Sequence, residues 1–297
     1  DKKDNVLIFK TTELNKIFEQ GTNEYPGIEK TVPSHFIETV SLCNRQYEDI
    51  AMHNHSVLQR IIYKKKSIPF LVIANGCNNT CSYCHTKFFV GKTKSKPIEK
   101  IKTEYLELIK GNNTFINIIA EDIGAYGIDI NSDLPQLLNE LEKITVNKNV
   151  HWMLDGLQPK WYLIQKQYLI QLIIKKRISA ISVPVQSGSD RIIKLMNRDY
   201  KCNEAAACLK EFRVLNPKLY LQGIFIVGFP SETDDDFNDT LSLINEIRFD
   251  DVTFIQYSEF DICESSKIKD KVPENVINNR INIGREYLIK IGIKEIR

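Results

Sequence analysis

The sequence predicts an α/β fold, a parallel sheet with helices packed outside it. Three observations carry that expectation. The chain of 297 residues is 42% hydrophobic and 26% charged, a globular balance sufficient for one large domain or two small ones. From Ile68 onward, short apolar runs alternate six times with longer amphipathic ones, which is the pattern of strand–helix units. Neither a short repeat nor a low-complexity tract interrupts them.

The first unit opens with Ile68–Asn75, a buried strand, followed by a Gly/Asn/Cys loop. Its helix starts at Pro97, closes near Gly111 and presents Ile98, Ile101, Tyr105, Leu106, Leu108 and Ile109 as its apolar residues. Thr114–Ala120 is the second strand and Leu134–Ile144 its helix. Val150–Leu154 is the third, followed by a helical stretch about Trp161–Lys176. Ala180–Val185 is the fourth. Ser189 is placed to cap a helix through Met196, and Asn203–Val214 continues the helical layer. Leu219–Val227 is the fifth. Thr233 and the acidic run Asp234–Asp236 begin a helix that reaches Ile247. Asp251–Tyr257 is the sixth strand. Upstream, Val6–Phe9 reads as a strand, Glu13–Gln20 as a helix and Gly21–Gly27 as a loop, with a linker at Lys64–Lys66. Residues 1–64 are therefore expected to form a small N-terminal α/β piece, and residues 65–297 the catalytic layer.

This composition excludes collagen-like, disulfide-scaffold and wholly disordered classes. The net charge of +2 leaves no bulk electrostatic footprint for nucleic acid, although local basic patches remain open. Apolar runs such as Ile68–Ala74 are too short to cross a bilayer. Asp1–Asn5 is polar and does not read as a signal peptide. The chain opens on Asp1 rather than Met, which points to processing or trimming. A cytoplasmic protein with no membrane partner is expected.

Seven cysteines stand at positions 43, 77, 81, 84, 202, 208 and 263. An odd number argues against a disulfide framework. Cys77, Cys81 and Cys84 fall within eight residues directly after the first strand. Three thiolates on one short loop suit three irons of a [4Fe–4S] cube, with the fourth iron left open. Two other readings stand beside it. Zinc would need a fourth ligand, and His85 is adjacent, although neighbouring residues seldom reach one ion without strain. Cys81-Ser-Tyr-Cys84-His85 also matches the haem attachment pattern.

The stretch Asn75-Gly-Cys-Asn-Asn-Thr-Cys-Ser-Tyr-Cys84 resembles the signature of radical SAM enzymes, and the chain is similar to their methylthiotransferase branch. The likeness runs in order through Thr86-Lys-Phe, Gly91-Lys-Thr-Lys-Ser-Lys-Pro97, Glu121-Asp-Ile-Gly-Ala-Tyr-Gly127, Val183-Pro-Val-Gln-Ser-Gly-Ser-Asp-Arg191, Leu195-Met-Asn-Arg198, Val227-Gly-Phe-Pro-Ser-Glu-Thr233 and Lys271-Val-Pro-Glu-Asn-Val276. It covers about residues 68–280 and implies a partial (β/α)6 TIM-type barrel, with residues 1–64 as the remnant of a methylthiotransferase-type domain. By resemblance, Cys77, Cys81 and Cys84 ligate one [4Fe–4S] cluster, and S-adenosyl-L-methionine (SAM) binds its open iron. The Tyr83 backbone would lie near adenine. Ala120, Glu121 and Asp122 would receive the SAM ammonium, Gln186 and Ser187 would reach the ribose, Ile226 and Gly228 would line adenine, and Arg198 would neutralise the carboxylate. An electron passed to SAM then gives methionine and a 5′-deoxyadenosyl radical that removes hydrogen from carbon, while the protein orients the cofactor and excludes water.

The chain also departs from that branch. Residues 1–64 hold only Cys43, and Lys10 and Thr11 stand where a cysteine of a second cluster is expected. The branch pattern Tyr-Ser-x-Arg-x-Gly-Thr-x-Ala is met by Tyr257-Ser-Glu-Phe-Asp-Ile-Cys-Glu-Ser265, so Phe260, Ile262, Cys263 and Ser265 replace its Arg, Gly, Thr and Ala. Val90 replaces an Arg, and the sequence stops at Arg297 without the branch's RNA-binding barrel. Cys263 is expected near the barrel mouth, as a ligand, a hydrogen donor or a buried small side chain. Cys202 and Cys208 are expected to pack, the pair His53 and His55 to lie on a solvated loop, and Lys92–Lys96 to be a solvated run. The function expected is hydrogen abstraction from a peptide or protein substrate, with flavodoxin or ferredoxin as electron donor. A methylthiotransferase on tRNA or protein, its second cluster lost or supplied elsewhere, is the alternative; tRNA is disfavoured by the near-neutral charge.

Overall fold

A computed structural model describes residues 68–111 and 113–295. All of them lie in one compact unit running from Ser67 to Arg297. The calls on residues 1–64, Cys43, His53 and His55 included, lie outside the described residues.

β1 (Phe70–Val72) opens a seven-stranded sheet, and β2 (Ala74–Asn75) leaves it to pair antiparallel with β3 (Lys94–Ser95). The single strand expected over Ile68–Asn75 is thus broken at Ile73. Between β2 and β3 lie the cysteine loop and a one-turn helix, α1 (Lys87–Val90). α2 (Ile98–Lys110) leads to β4 (Phe115–Ile119), α3 (Leu134–Thr145) to β5 (His151–Leu154), and α4 (Pro159–Ile164) with α5 (Lys166–Ile174) to β6 (Ile178–Gln186). α6 (Asp190–Leu195) and α7 (Cys202–Leu215) precede β7 (Tyr220–Val227); α8 (Asp234–Ile247) precedes β8 (Asp251–Gln256). α9 (Glu274–Ile291) then returns the chain to β9 (Lys294–Glu295). The sheet order is β1-β4-β5-β6-β7-β8-β9, with every neighbouring pair parallel. Six strand–helix units closed by a short seventh strand make a partial (β/α)6 barrel, whose functional face is the C-terminal end of its strands.

The local reasons are mostly those of the sequence. Ile101, Tyr105 and Ile109 of α2 are buried, one helical face at spacings of four. Asp133 caps α3 by accepting from the Gln136 amide. Thr233 and Asp236 form a reciprocal capping box at α8. Two details differ. The helical stretch expected over Trp161–Lys176 is two helices hinged at Gln165, whose amide donates to the Gly124 carbonyl at 3.1 Å. Ser189 makes no cap bond with its side chain; its hydroxyl instead donates to Asp236 Oδ1 at 2.6 Å. α9 and β9 had no counterpart among the expected elements. Among the described residues, no helix is long and apolar enough to cross a membrane.

Candidate functional site

The cysteine loop rises from β2 at the mouth of the barrel. Asn75 pairs with Lys94 at its base. The Cys77 amide donates to the Gly91 carbonyl at 3.0 Å, and the Gly76 amide to Glu121 Oε2 at 2.9 Å. Gly76 has φ +82°, and a Cβ there would lie 2.2 Å from the Lys92 carbonyl oxygen; only glycine lets the two backbones approach this closely. Higher on the loop, the Ser82 amide donates to the Met196 carbonyl at 3.0 Å and its hydroxyl to Leu195 O at 2.8 Å.

All three thiols are free of disulfides, Cys81 buried and Cys77 and Cys84 half-buried. Burial pushes the Cys77 thiol up from its usual range. Asn79 Nδ2 donates to Cys77 Sγ at 3.2 Å, and Arg198 Nη1 to Cys81 Sγ at 3.7 Å. Among the described residues, no three His, Cys, Asp or Glu side chains form a site for a single metal ion. His85 is taken up by rings, its centroid 4.0 Å from that of Phe260 and 6.1 Å from that of Phe89. A cube uses one thiolate per iron and needs no histidine from the loop.

Asp122 follows β4 and is 2% exposed. Its Oδ2 accepts from Asn79 Nδ2 at 2.5 Å, and its Oδ1 has no well-formed bond. Burial lifts this carboxyl above its ordinary range, against the Trp161 indole, the Asn79 amide and the charges of Lys160 and Arg198. The indole of Trp161, its Nε1 buried, is the group that faces this carboxyl. Trp161 reaches this position because Gly124 lies beneath its ring; a Cβ on Gly124 would come within 2.1 Å of the indole. At the end of β6, Gln186 adopts φ +77° and buries an unpaired Oε1. Left-handed backbone at a non-glycine residue is costly and concentrates at functional sites.

A buried carboxylate oxygen without a well-formed bond calls for a cationic donor, and a loop of three thiolates calls for iron and sulfide. The residues present therefore fit a [4Fe–4S] cluster, with a buried carboxylate at Asp122 suited to a cationic group beside it. A cavity of about 340 Å3 adjoins them, lined by Asn79, Cys81, Lys160, Arg198 and Tyr200 among others.

Other expected site residues are differently engaged. Glu121 anchors Gly76 through its Oε2. Ser187 is fully buried, its hydroxyl accepting from the Ser189 amide at 3.1 Å and 3.5 Å from Thr240 Oγ1, so it braces the strand end. Arg198 also donates to Tyr83 Oη at 3.2 Å and Pro184 O at 2.8 Å, binding the cysteine loop. The Tyr83 carbonyl accepts from Cys263 Sγ at 3.4 Å. Ala120 is half-buried at the end of β4, beside Asp122. Ile226 is buried at the end of β7, and Gly228 lines a separate cleft of about 200 Å3 with Tyr257, Glu259, Lys271 and Ile277. The Gly228 amide donates to Glu232, which pairs with buried Arg280 at 2.9 Å. Cys202 and Cys208 are buried in the core, as expected. Lys96 pairs with Glu104 at 2.8 Å rather than being simply solvated. Sequence reasoning missed Asn79, Trp161 and the backbone of Gln186. The first lies inside the cysteine motif; the other two carried no pattern.

A model described as Radical SAM superfamily matches residues 71–244. The chain is 30% identical over 268 residues to the ribosomal protein uS12 methylthiotransferase RimO of Clostridium novyi, covering 88% of this chain and 58% of that protein. It is 33% identical over 247 residues to the tRNA-2-methylthio-N(6)-dimethylallyladenosine synthase of Clostridium botulinum strain Hall, covering 81% and 54%. The chain thus spans little more than half the length of these relatives. In fold it is similar to coproporphyrinogen III oxidase HemN of Escherichia coli, with TM-score 0.55, 15% identity, and 80% of this chain and 56% of that one covered. Streptococcus suis SuiB bound to S-adenosylmethionine gives TM-score 0.53 and 15% identity, over 96% of this chain and 61% of that one. With the cysteine loop, the barrel and these likenesses in agreement, the chain belongs to the radical SAM superfamily, in its methylthiotransferase-like branch, as an enzyme whose cofactors are a [4Fe–4S] cluster and SAM.

Proposed function

We propose that this chain is the radical-generating core of a methylthiotransferase acting on a tRNA base or a protein side chain. The observation that carries the reading is its 30–33% identity, over four fifths or more of its length, to two proteins named as methylthiotransferases of these substrate classes. The cluster would be held by Cys77, Cys81 and Cys84. Bound together, cluster and SAM supply a 5′-deoxyadenosyl radical able to take hydrogen from an unactivated carbon.

The chain's own residues do the rest. Asp122 holds the amine of SAM and thereby fixes which way its sulfonium faces. Asn79 ties Asp122 to Cys77, so cofactor and loop share one hydrogen-bonded frame. Arg198 and Asn79 place N–H donors on two thiolates, which favours the reduced, more negative cluster. A second, sulfur-donating cluster would be supplied from outside the described core. Electrons would come from a flavodoxin or ferredoxin, in the cytoplasm.

A second reading, hydrogen abstraction from a peptide or protein without sulfur insertion, is favoured by the cysteine positions. Cys202, Cys208 and Cys263 are each buried, and each is engaged in its own local packing. Anaerobic iron and sulfide counts, with mass analysis of tRNA and protein substrates, decide between the two. About eight irons per active assembly and a methylthio product are expected of the first. About four irons and deoxyadenosine without added sulfur would replace it by the second.

A further inference from the structure

Three consecutive carbonyls of the cluster loop are each met by a donor from outside the motif. Cys81 O accepts from Lys87 Nζ at 3.0 Å, Ser82 O from the Ser265 amide at 3.0 Å, and Tyr83 O from Cys263 Sγ at 3.4 Å. Two of the three donors lie on the segment after β8. That segment also supplies Glu264, paired with the same Lys87 nitrogen at 3.0 Å, and Phe260, tilted against His85 at 4.0 Å between centroids. Cys263 and Ser265 are fully buried, and the Ser265 hydroxyl is 2.9 Å from Tyr257 Oη. A 3₁₀ turn over Glu264–Lys267 holds the donors in order. Phe260, Ile262, Cys263 and Ser265 are also the positions at which the chain leaves its branch pattern.

We propose that Phe260–Lys267 is a clasp that fixes the Cys81–Cys84 stretch, with Cys263 as a positioning residue that locks the Tyr83 carbonyl and does not ligate iron. The clasp rests on the radical SAM reading only for its purpose; its grip on the loop is a property of the polypeptide. Two of the three ligands belong to the clasped stretch. An unclasped loop would sample geometries in which Cys81 and Cys84 cannot both reach a cube, and the cluster would be lost from those states.

The test uses the full chain, reconstituted anaerobically with iron and sulfide, and the same chain freed of iron. The variants are Cys263→Ala, Cys263→Ser, Glu264→Gln and Phe260→Leu. In the reconstituted protein, iron release to a chelator is timed. In the iron-free protein, alkylation of Cys81 and Cys84 by iodoacetamide is followed by mass spectrometry, with buried Cys208 as internal reference. Loss of one buried hydrogen bond predicts about three- to tenfold faster release and faster alkylation in Cys263→Ala, with iron content unchanged at about four per cluster. Cys263→Ser, which retains a donor, restores both rates to within about twofold of the parent. Unchanged rates in Cys263→Ala overturn the clasp, and so does failure of serine to rescue. A lost iron or an altered electron paramagnetic resonance spectrum in Cys263→Ala would make Cys263 a ligand and overturn it too. If Cys263→Ala does not fold, the surface variants Glu264→Gln and Phe260→Leu decide, and parental rates in both sink the proposal. Should the parent chain bind no cluster, the functional reading falls, while the alkylation rates still judge the clasp.

Discussion

The two halves of the barrel mouth are built differently. Around the ends of β4 and β6, and at the start of α4, buried polar atoms are loosely held: Gln186 Oε1 has no hydrogen-bond partner, and Asp122 Oδ1 and Trp161 Nε1 face each other without a well-formed bond. Around the ends of β7 and β8, the corresponding groups answer one another. Glu232 accepts from the Gly228 amide and Arg280, Arg280 reaches Asp234 at 2.7 Å, and Asp236 is bonded by Arg191, Ser189 and Thr233. Leaving a buried polar group unpaired is destabilising by about 1–3 kcal/mol. The open half has the character of a receptor and the closed half that of a frame.

The sharpest break in that comparison is Cys81→Ala. It should abolish both the cluster chromophore and SAM cleavage while leaving circular dichroism intact. A variant that kept about four irons and made deoxyadenosine would remove the cysteine loop from the receptor half. Next is Asp122→Ala. A lost charge-assisted contact of about 1.5–3 kcal/mol weakens SAM binding by about ten- to a hundredfold. Equilibrium binding of SAM checks this, and Glu121→Ala should act instead through the loop, by loosening Gly76.

On the frame side, Arg280→Met leaves buried Glu232 without its cation. Burial already pushes that carboxyl up to about 7, against the Gly228 amide and Arg280. Denaturant titration should show a loss of about 1.5–3 kcal/mol, and a SAM affinity changed far less than by Asp122→Ala. Equal effects on both readouts would erase the distinction between the halves.

A further effect, seen only as a dependence on pH, is expected from the opposite end of the barrel. Asp251 is fully buried at the start of β8, and burial raises its carboxyl to about 6, opposed by the hydroxyl of Tyr220. The native state therefore holds a proton that the unfolded chain releases near 4. Its stabilising contribution is complete below about pH 4 and is lost as pH rises through about 6. Asp251→Asn should match the parent in thermal midpoint near pH 4 and exceed it at pH 8. A midpoint difference independent of pH would refute the assignment.

Much of this comparison was legible in the sequence. Apolar runs and period-3.6 patterning placed all six strands and nearly every helix between them, because the sheet is covered by helices and its strands read as continuous apolar runs. Thr233-Asp-Asp-Asp236 announced a cap with its own chemistry. The cysteine loop and the acidic residue at the end of β4 were singled out by spacing and resemblance. What stayed hidden depends on contacts between distant residues. Nothing in the string says that Ser187 turns inward to Thr240, that Arg198 turns to Cys81, or that Glu121 is taken by Gly76. The turn at Ile73 was equally invisible, since β2 is defined by its partner β3 rather than by its own residues.

That short pairing has a consequence for assembly order. Cys77, Cys81 and Cys84 all lie between Asn75 and Lys94, whose bridge closes a loop of about 20 residues. Closing a loop of that size costs about 2.7 kcal/mol of chain entropy beyond a constant, and it needs neither a distant strand nor a completed sheet. Local contacts of this kind form early, whereas parallel strand pairing must wait for long-range encounters. The cysteine loop can therefore close on itself while the rest of the barrel is still being gathered, and the segment after β8 is the last to arrive over it.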